Sequence, residues 1–181
     1  MRRVVVTGMG VMSPVGNDVA TFFGNLIAGH SGVARHSRHF AEDSTPWLTA
    51  EVPPFSTEGF TKMRLGTLDR TTLLALLTAR QAVADAKLVA EDKDRAGVYW
   101  GTGLGGATTM EDSYRQYLGN AGTARVKPTT VVMTMNNAAA SEISLDFGFT
   151  GQTYTYSIAC SSSAVAIGES LRAIRAGYCD C

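Results

Sequence analysis

The chain has 181 residues, 45% of them apolar and 18% charged, with Lys+Arg and Asp+Glu each at 16. This balance excludes disordered and fibrous classes, and the neutral total offers no general attraction to nucleic acid or to an anionic membrane. No apolar run reaches the roughly 18 residues of a spanning helix, and the length suits one core or half of a larger double domain.

The N-terminus, MRRVVVTGMG, is basic and then apolar, as a signal peptide is. Gly8 and Gly10 cut that stretch and no small-residue cleavage site follows, so Arg3 to Thr7 reads as the buried first strand of a cytoplasmic protein. Asn17-Asp18 offers an N-cap, and VATFFGNLIAG carries helical spacing up to Gly29. Residues 30 to 62 lack periodicity and hold all three histidines, His30, His36 and His39; solvated loop positions are expected there rather than metal ligands. Asp69 caps the strongest helix, Arg70 to Lys87, rich in Ala and Leu. A second buried strand, Gly97 to Gly101, runs into the glycine-rich turn GTGLGG. A helix at Met110 to Leu118, a polar hinge and a helix at Val131 to Phe147 follow, and Thr153 to Ala159 is the third strand.

Strands alternating with helices imply a mostly parallel sheet covered on both faces. The pattern stops at GYCDC, where a strand is due after a helix, so the chain reads as unfinished. Of the three cysteines, Cys179 and Cys181 lack disulfide or zinc spacing and read as structural. Cys160 stands between the third strand and the helix SSSAVAIGESLRAIRAG. At a helix N-terminus, unpaired N–H groups and the dipole stabilise a thiolate, and the backbone N–H of Cys160 is available as an oxyanion donor. A buried structural cysteine fits the same strand-to-helix context equally well. The run GTGLGG satisfies G-x-G-x-x-G after a strand, but no acidic residue follows at the spacing a dinucleotide needs, so its glycines read as a tight turn with close packing.

These pieces together resemble the elongating β-ketoacyl-acyl-carrier-protein synthases, types I and II, of the thiolase-like superfamily. The likeness rests on RRVVVTGMGVMSPVGN, the LDR opening the long helix, GTGLGG, PTTVVMTMNNAAASEISLDFGFTG and IACSSSAVAIGESLRAIRAG. It implies the N-terminal half of a layered α/β/α/β/α sandwich, with residues 1–181 as that half and the C-terminal half outside this chain. By the same resemblance Cys160 takes an acyl chain from acyl carrier protein and passes it on in a decarboxylative condensation with malonyl-ACP. Two histidines and a lysine of the second half promote decarboxylation, and no cofactor or metal is needed. Leu104 matches the apolar residue beside the cysteine in the acyl pocket, and Thr130 the residue that lines the pocket from a partner subunit. Lys62, Arg64 and Arg125 fall in or near stretches that dock the acidic carrier. A homodimer, or a heterodimer with a related ketosynthase subunit, is implied. The competing readings are a catalytically silent subunit of the chain-length-factor type, against which Cys160 speaks, and a thiolase-like enzyme using coenzyme A. Sequence alone leaves acyl length open, and with it the choice between fatty acid and polyketide synthesis.

Overall fold

A computed structural model describes residues 2–36, 47–89, 91, 93–119 and 125–181. The helices are α1 (Val19–Ile27), α2 (Lys62–Leu65), α3 (Arg70–Asp85), α4 (Ala107–Gly119), α5 (Thr130–Thr134), α6 (Ala138–Phe147) and α7 (Ser162–Ala176). The strands are β1 (Val33–His36), β2 (Trp47–Ala50), β3 (Val98–Gly101) and β4 (Thr153–Tyr156). β3 and β4 pair in parallel with Val98 opposite Thr153 and Gly101 opposite Tyr156, and α4, α5 and α6 form the crossover between them.

Alternation along β3 assigns its faces. Val98 is buried in the main core with Leu68, Ala75, Leu76, Ala139, Ala140 and Ile143, and Trp100 packs against the same cluster. Tyr99 and Gly101 point the other way, toward α7 and the segment after it, as the approach of Gly101 to Ser162 and of Tyr99 to Cys179 shows. The α/β arrangement expected from the sequence is therefore present, with β3 covered on both sides.

Asp69 joins three elements. Its carboxylate is 2% exposed. It accepts from the Thr71 N–H at 2.8 Å, capping α3, and from the N–H and hydroxyl of Thr109 at 2.8 and 2.7 Å, which fixes the first turn of α4. Farther along α3, Arg80 holds Asp146 of α6 through two hydrogen bonds of 2.8 Å and lies over the Phe60 ring at 4.2 Å.

Three expectations are corrected. Arg3 to Thr7 forms no strand, and Val5 and Val6 are exposed. The amides just after it bond to α3 side chains, Met9 N–H to Asp85 and Val11 N–H to Gln81, each at 2.9 Å. Gly8 and Gly10 lie against the carbonyls of Ala82 and Thr78, where any Cβ would come within 2.3 and 2.1 Å. Without a hydrogen-bonded neighbour strand, β propensity alone makes no strand. The aperiodic stretch after residue 30 contains a hairpin, β1 antiparallel to β2. Its four-residue strands expose Val33 and Leu48, so no buried face imposed an alternation on the sequence. The helix expected at Val131 to Phe147 is broken into α5 and α6 at Met135, whose backbone is extended.

The C-terminal segment is fastened by charge. Asp180 bonds Arg95 at 2.6 and 3.0 Å and Arg2 at 3.0 Å, and the Gly97 N–H donates to the Cys181 carbonyl at 2.8 Å. Hydrogen bonds from Arg95, then from Arg2, hold the Asp180 carboxyl down at about 2. A lowered carboxyl stabilises the fold above its ordinary value near 3.8, and that contribution is lost as pH falls through about 2. In urea melts of the native protein between pH 5 and pH 2, Asp180→Asn is expected to be less stable at pH 5 and to converge with the unaltered protein by pH 2. A difference that stays constant over this range would show that the ion pairs are not its source.

Candidate active site

The site is built where β3 and β4 end side by side. β4 closes with the Thr102 N–H donating to the Tyr156 carbonyl at 3.0 Å, and the chain then turns sharply into α7. Ile158 leaves the strand region (φ −130°, ψ 47°) and Ala159 adopts a left-handed φ of +46°. For a residue with a Cβ that conformation costs about 1–2 kcal/mol, so the surroundings must hold it. Ala159–Ser161 forms a single 3-10 turn with Cys160 at its middle, exposed, immediately before α7. Ser161, the N-cap of α7, makes no side-chain cap hydrogen bond. The N-terminal N–H groups of the helix are thus left without that partner, beside Cys160.

The turn is held from below. Ser162, 2% exposed, accepts from the Ile158 N–H at 2.7 Å, and its hydroxyl lies 2.8 Å from the Ala159 carbonyl and 3.0 Å from the Thr102 carbonyl. The glycine-rich turn after β3 packs against the same place. Ser157 donates to the Gly103 carbonyl at 3.4 Å, and the Asn136 amide donates to Ser157 at 3.0 Å. Asn136 lies in the break between α5 and α6, so the break delivers a side chain to the cysteine segment. Gly105 is left-handed (φ +66°), and a Cβ there would sit 2.6 Å from the Asn136 side chain. Gly101, Gly105 and Gly106 serve turn geometry and close packing, as expected.

Of the sequence candidates, Leu104 follows Gly103, whose carbonyl accepts from Ser157. Leu104 lies inside this turn and is exposed. Thr130 opens α5 and its hydroxyl lies 3.5 Å from that of Ser113 on α4. It lines a groove with Met110, Tyr114, Tyr117, Val126 and Thr134. Lys62 and Arg125 are exposed, whereas Arg64 is paired with Glu142 of α6. Lys127, which sequence reasoning passed over, lines a cleft of about 230 Å³ with Leu65, Gly66 and Arg70. Ser162, Asn136 and Ala159 were also missed, because nothing in their spacing signals a tertiary hydrogen bond or a left-handed turn.

The other cysteines differ from Cys160 in setting. Cys179 is 1% exposed, and burial pushes its thiol up despite a hydrogen bond with Tyr99. Burial likewise raises the Cys181 thiol, with the charges of Cys179 and Asp180 adding to it. His30 is bonded to Asn25 at 2.9 Å, while the imidazole of His36 and all of His39 lie outside the described residues. Among the described residues no cluster of three His, Cys, Asp or Glu could hold a metal, and no helix is long and apolar enough to cross a membrane.

An exposed cysteine on a left-handed turn between a parallel strand and a helix marks this end of the α/β fold. The chain belongs to the beta-ketoacyl synthase family, whose N-terminal domain model matches residues 1–181. It is 36% identical to 3-oxoacyl-[acyl-carrier-protein] synthase 2 of Staphylococcus aureus, a match covering 99% of this chain and 44% of that protein. The chain therefore spans less than half the length of this curated relative. Among solved structures, the ishigamide ketosynthase/chain length factor superposes with a TM-score of 0.87 at 26% identity, covering 98% of this chain and 45% of that one. A beta-ketoacyl synthase from Burkholderia phymatum gives 0.83 at 26% identity, covering 99% and 45%.

A Cβ at Gly101 would come within 2.5 Å of the Ser162 carbonyl group and the Ser163 nitrogen, whereas Gly103 has open space around it. Gly101→Ala is expected to cost about 1–3 kcal/mol in urea unfolding and to slow alkylation of Cys160, because α7 must move off β3. Gly103→Ala should change neither by much. Equal effects at the two positions would contradict the close approach.

Proposed function

We propose that residues 1–181 are the first half of a 3-oxoacyl-acyl-carrier-protein synthase with Cys160 as its acyl-carrying nucleophile. One observation carries the reading: of the chain's three cysteines, only Cys160 stands exposed on a turn leading into a helix N-terminus. The Cys160 sulfur attacks the acyl thioester carbonyl of acyl-ACP, forms a new thioester and releases the carrier's thiol. Malonyl-ACP then loses carbon dioxide, and its carbanion attacks the Cys160 thioester, forming a carbon–carbon bond and freeing the cysteine. Charge developing on the carbonyl oxygen in both attacks is met by the backbone N–H of Cys160 and a second donor from outside this chain. The groups that promote decarboxylation, two histidines and a lysine, also come from outside it.

In this reading Leu104 walls the acyl pocket at the thioester, and Thr130 reaches the pocket of a partner subunit across a dimer. The partner is either a second copy or a related ketosynthase subunit; the ishigamide relative is described as a ketosynthase/chain length factor. Lys62 and Arg125, with Lys127, form the basic approach for an acidic carrier protein, and Arg64, engaged by Glu142, contributes less. The neutral composition and this chemistry fit a cytoplasmic enzyme. A silent chain-length-factor subunit is the rival reading, and the presence of Cys160 weighs against it.

One assay tests the set: the native protein, with its partner if it has one, is given malonyl-ACP and acyl-ACPs of graded length, and 3-oxoacyl-ACP is measured. Cys160→Ala should abolish the product, by a factor of about 100 or more. Thr130→Phe should shift use toward shorter acyl chains. Lys62→Glu with Arg125→Glu should raise KM for acyl-ACP, most strongly at low salt, with kcat little changed. Full activity in Cys160→Ala would exclude the assignment, and preference for acyl-CoA would support a thiolase-like enzyme instead.

A further inference from the structure

We infer that Ser162 is the positioning residue of the nucleophile turn: its buried hydroxyl holds Ala159 left-handed and so sets where Cys160 points. The inference rests on Cys160 being the nucleophile. Two successive residues before Cys160 are off the regular backbone regions, Ile158 at φ −130°, ψ 47° and Ala159 at φ +46°. Both are bound by this one side chain, the Ile158 N–H through its lone pair at 2.7 Å and the Ala159 carbonyl through its hydrogen at 2.8 Å. The Thr102 carbonyl, at 3.0 Å, shares that hydrogen and ties the turn to the end of β3.

At 2% exposure no bulk water can replace the hydroxyl. Without it the Ile158 N–H has lost its acceptor, and Ala159 is free to relax toward φ below zero, the region its Cβ prefers. Relaxation would swing the next residue, Cys160, away from the α7 N-terminus. Ser161 and Ser163 cannot substitute, since neither hydroxyl bonds Ile158 or Ala159. Ser162 touches no reacting atom; it acts through the backbone on either side of Cys160.

The test uses the native full-length protein and brief iodoacetamide labelling, read as the ratio of Cys160 to Cys181 modification by peptide mapping. Ser162→Ala should lower that ratio about tenfold, the rate equivalent of one lost buried hydrogen bond. Ser162→Thr, which keeps the hydroxyl, should stay within about threefold of the unaltered protein. The discriminating variant adds Ala159→Gly to Ser162→Ala. Glycine adopts positive φ at no steric cost, so the ratio should recover if the hydroxyl's task is to hold that turn. If Ser162→Ala alone is insoluble, return of soluble, labelled protein in the double variant carries the same test.

An unchanged ratio in Ser162→Ala, or a lowered ratio that Ala159→Gly leaves low, would overturn the inference. A low ratio in the unaltered protein would instead count against Cys160 as the activated cysteine. The two failures are thereby told apart.

Discussion

The first turn of α7 lies against the end of β3 at a distance that leaves no room for a side chain at residue 101. Much of the site follows from that approach. It lets the Ser162 hydroxyl reach the Thr102 carbonyl of one strand end and the Ile158 N–H beyond the other. Those two bonds join β3, β4 and α7 at a single buried atom, and the chain between them is forced into the tight turn that exposes Cys160. A larger residue at 101 would push the helix away, stretch these bonds and release the turn.

The second support is the packing beneath the sheet. Asp69 holds the starts of α3 and α4 together, and the Arg80–Asp146 pair fixes α3 on α6. Arg80 and its hydrogen bonds keep the Asp146 carboxyl below the usual range, while partial burial works against them. The buried Asp69 carboxylate with its three donors is costly to remove, because two N–H groups and a hydroxyl lose their acceptor together. The α5–α6 break, at the start of the same α6, carries Asn136 to Ser157 before Cys160.

Legibility in the sequence followed the range of the interactions. The long helix and its Asp69 cap, the strand before GTGLGG and the strand-to-helix setting of Cys160 rest on local periodicity and capping, and each was readable. The N-terminal strand was not, because RVVVT has strand propensity while its outcome depends on which neighbour it meets. Here the chain just after it turns to side chains, the Met9 and Val11 amides donating to Asp85 and Gln81. The hairpin β1–β2 escaped because its exposed four-residue strands impose no alternation. At the site, the cysteine stood out through its strand-to-helix setting. Ser162 did not: in SSS three equal residues differ only in which way the helix turns them.

The account centres on a thioester at Cys160, and one measurement addresses it directly. The native protein is incubated with a long-chain acyl-ACP without malonyl-ACP, digested with protease and mapped by mass spectrometry. The account predicts one acyl group, on the peptide containing Cys160, with Cys179 and Cys181 unmodified. Acyl label on Cys181, or none on any cysteine, would contradict it.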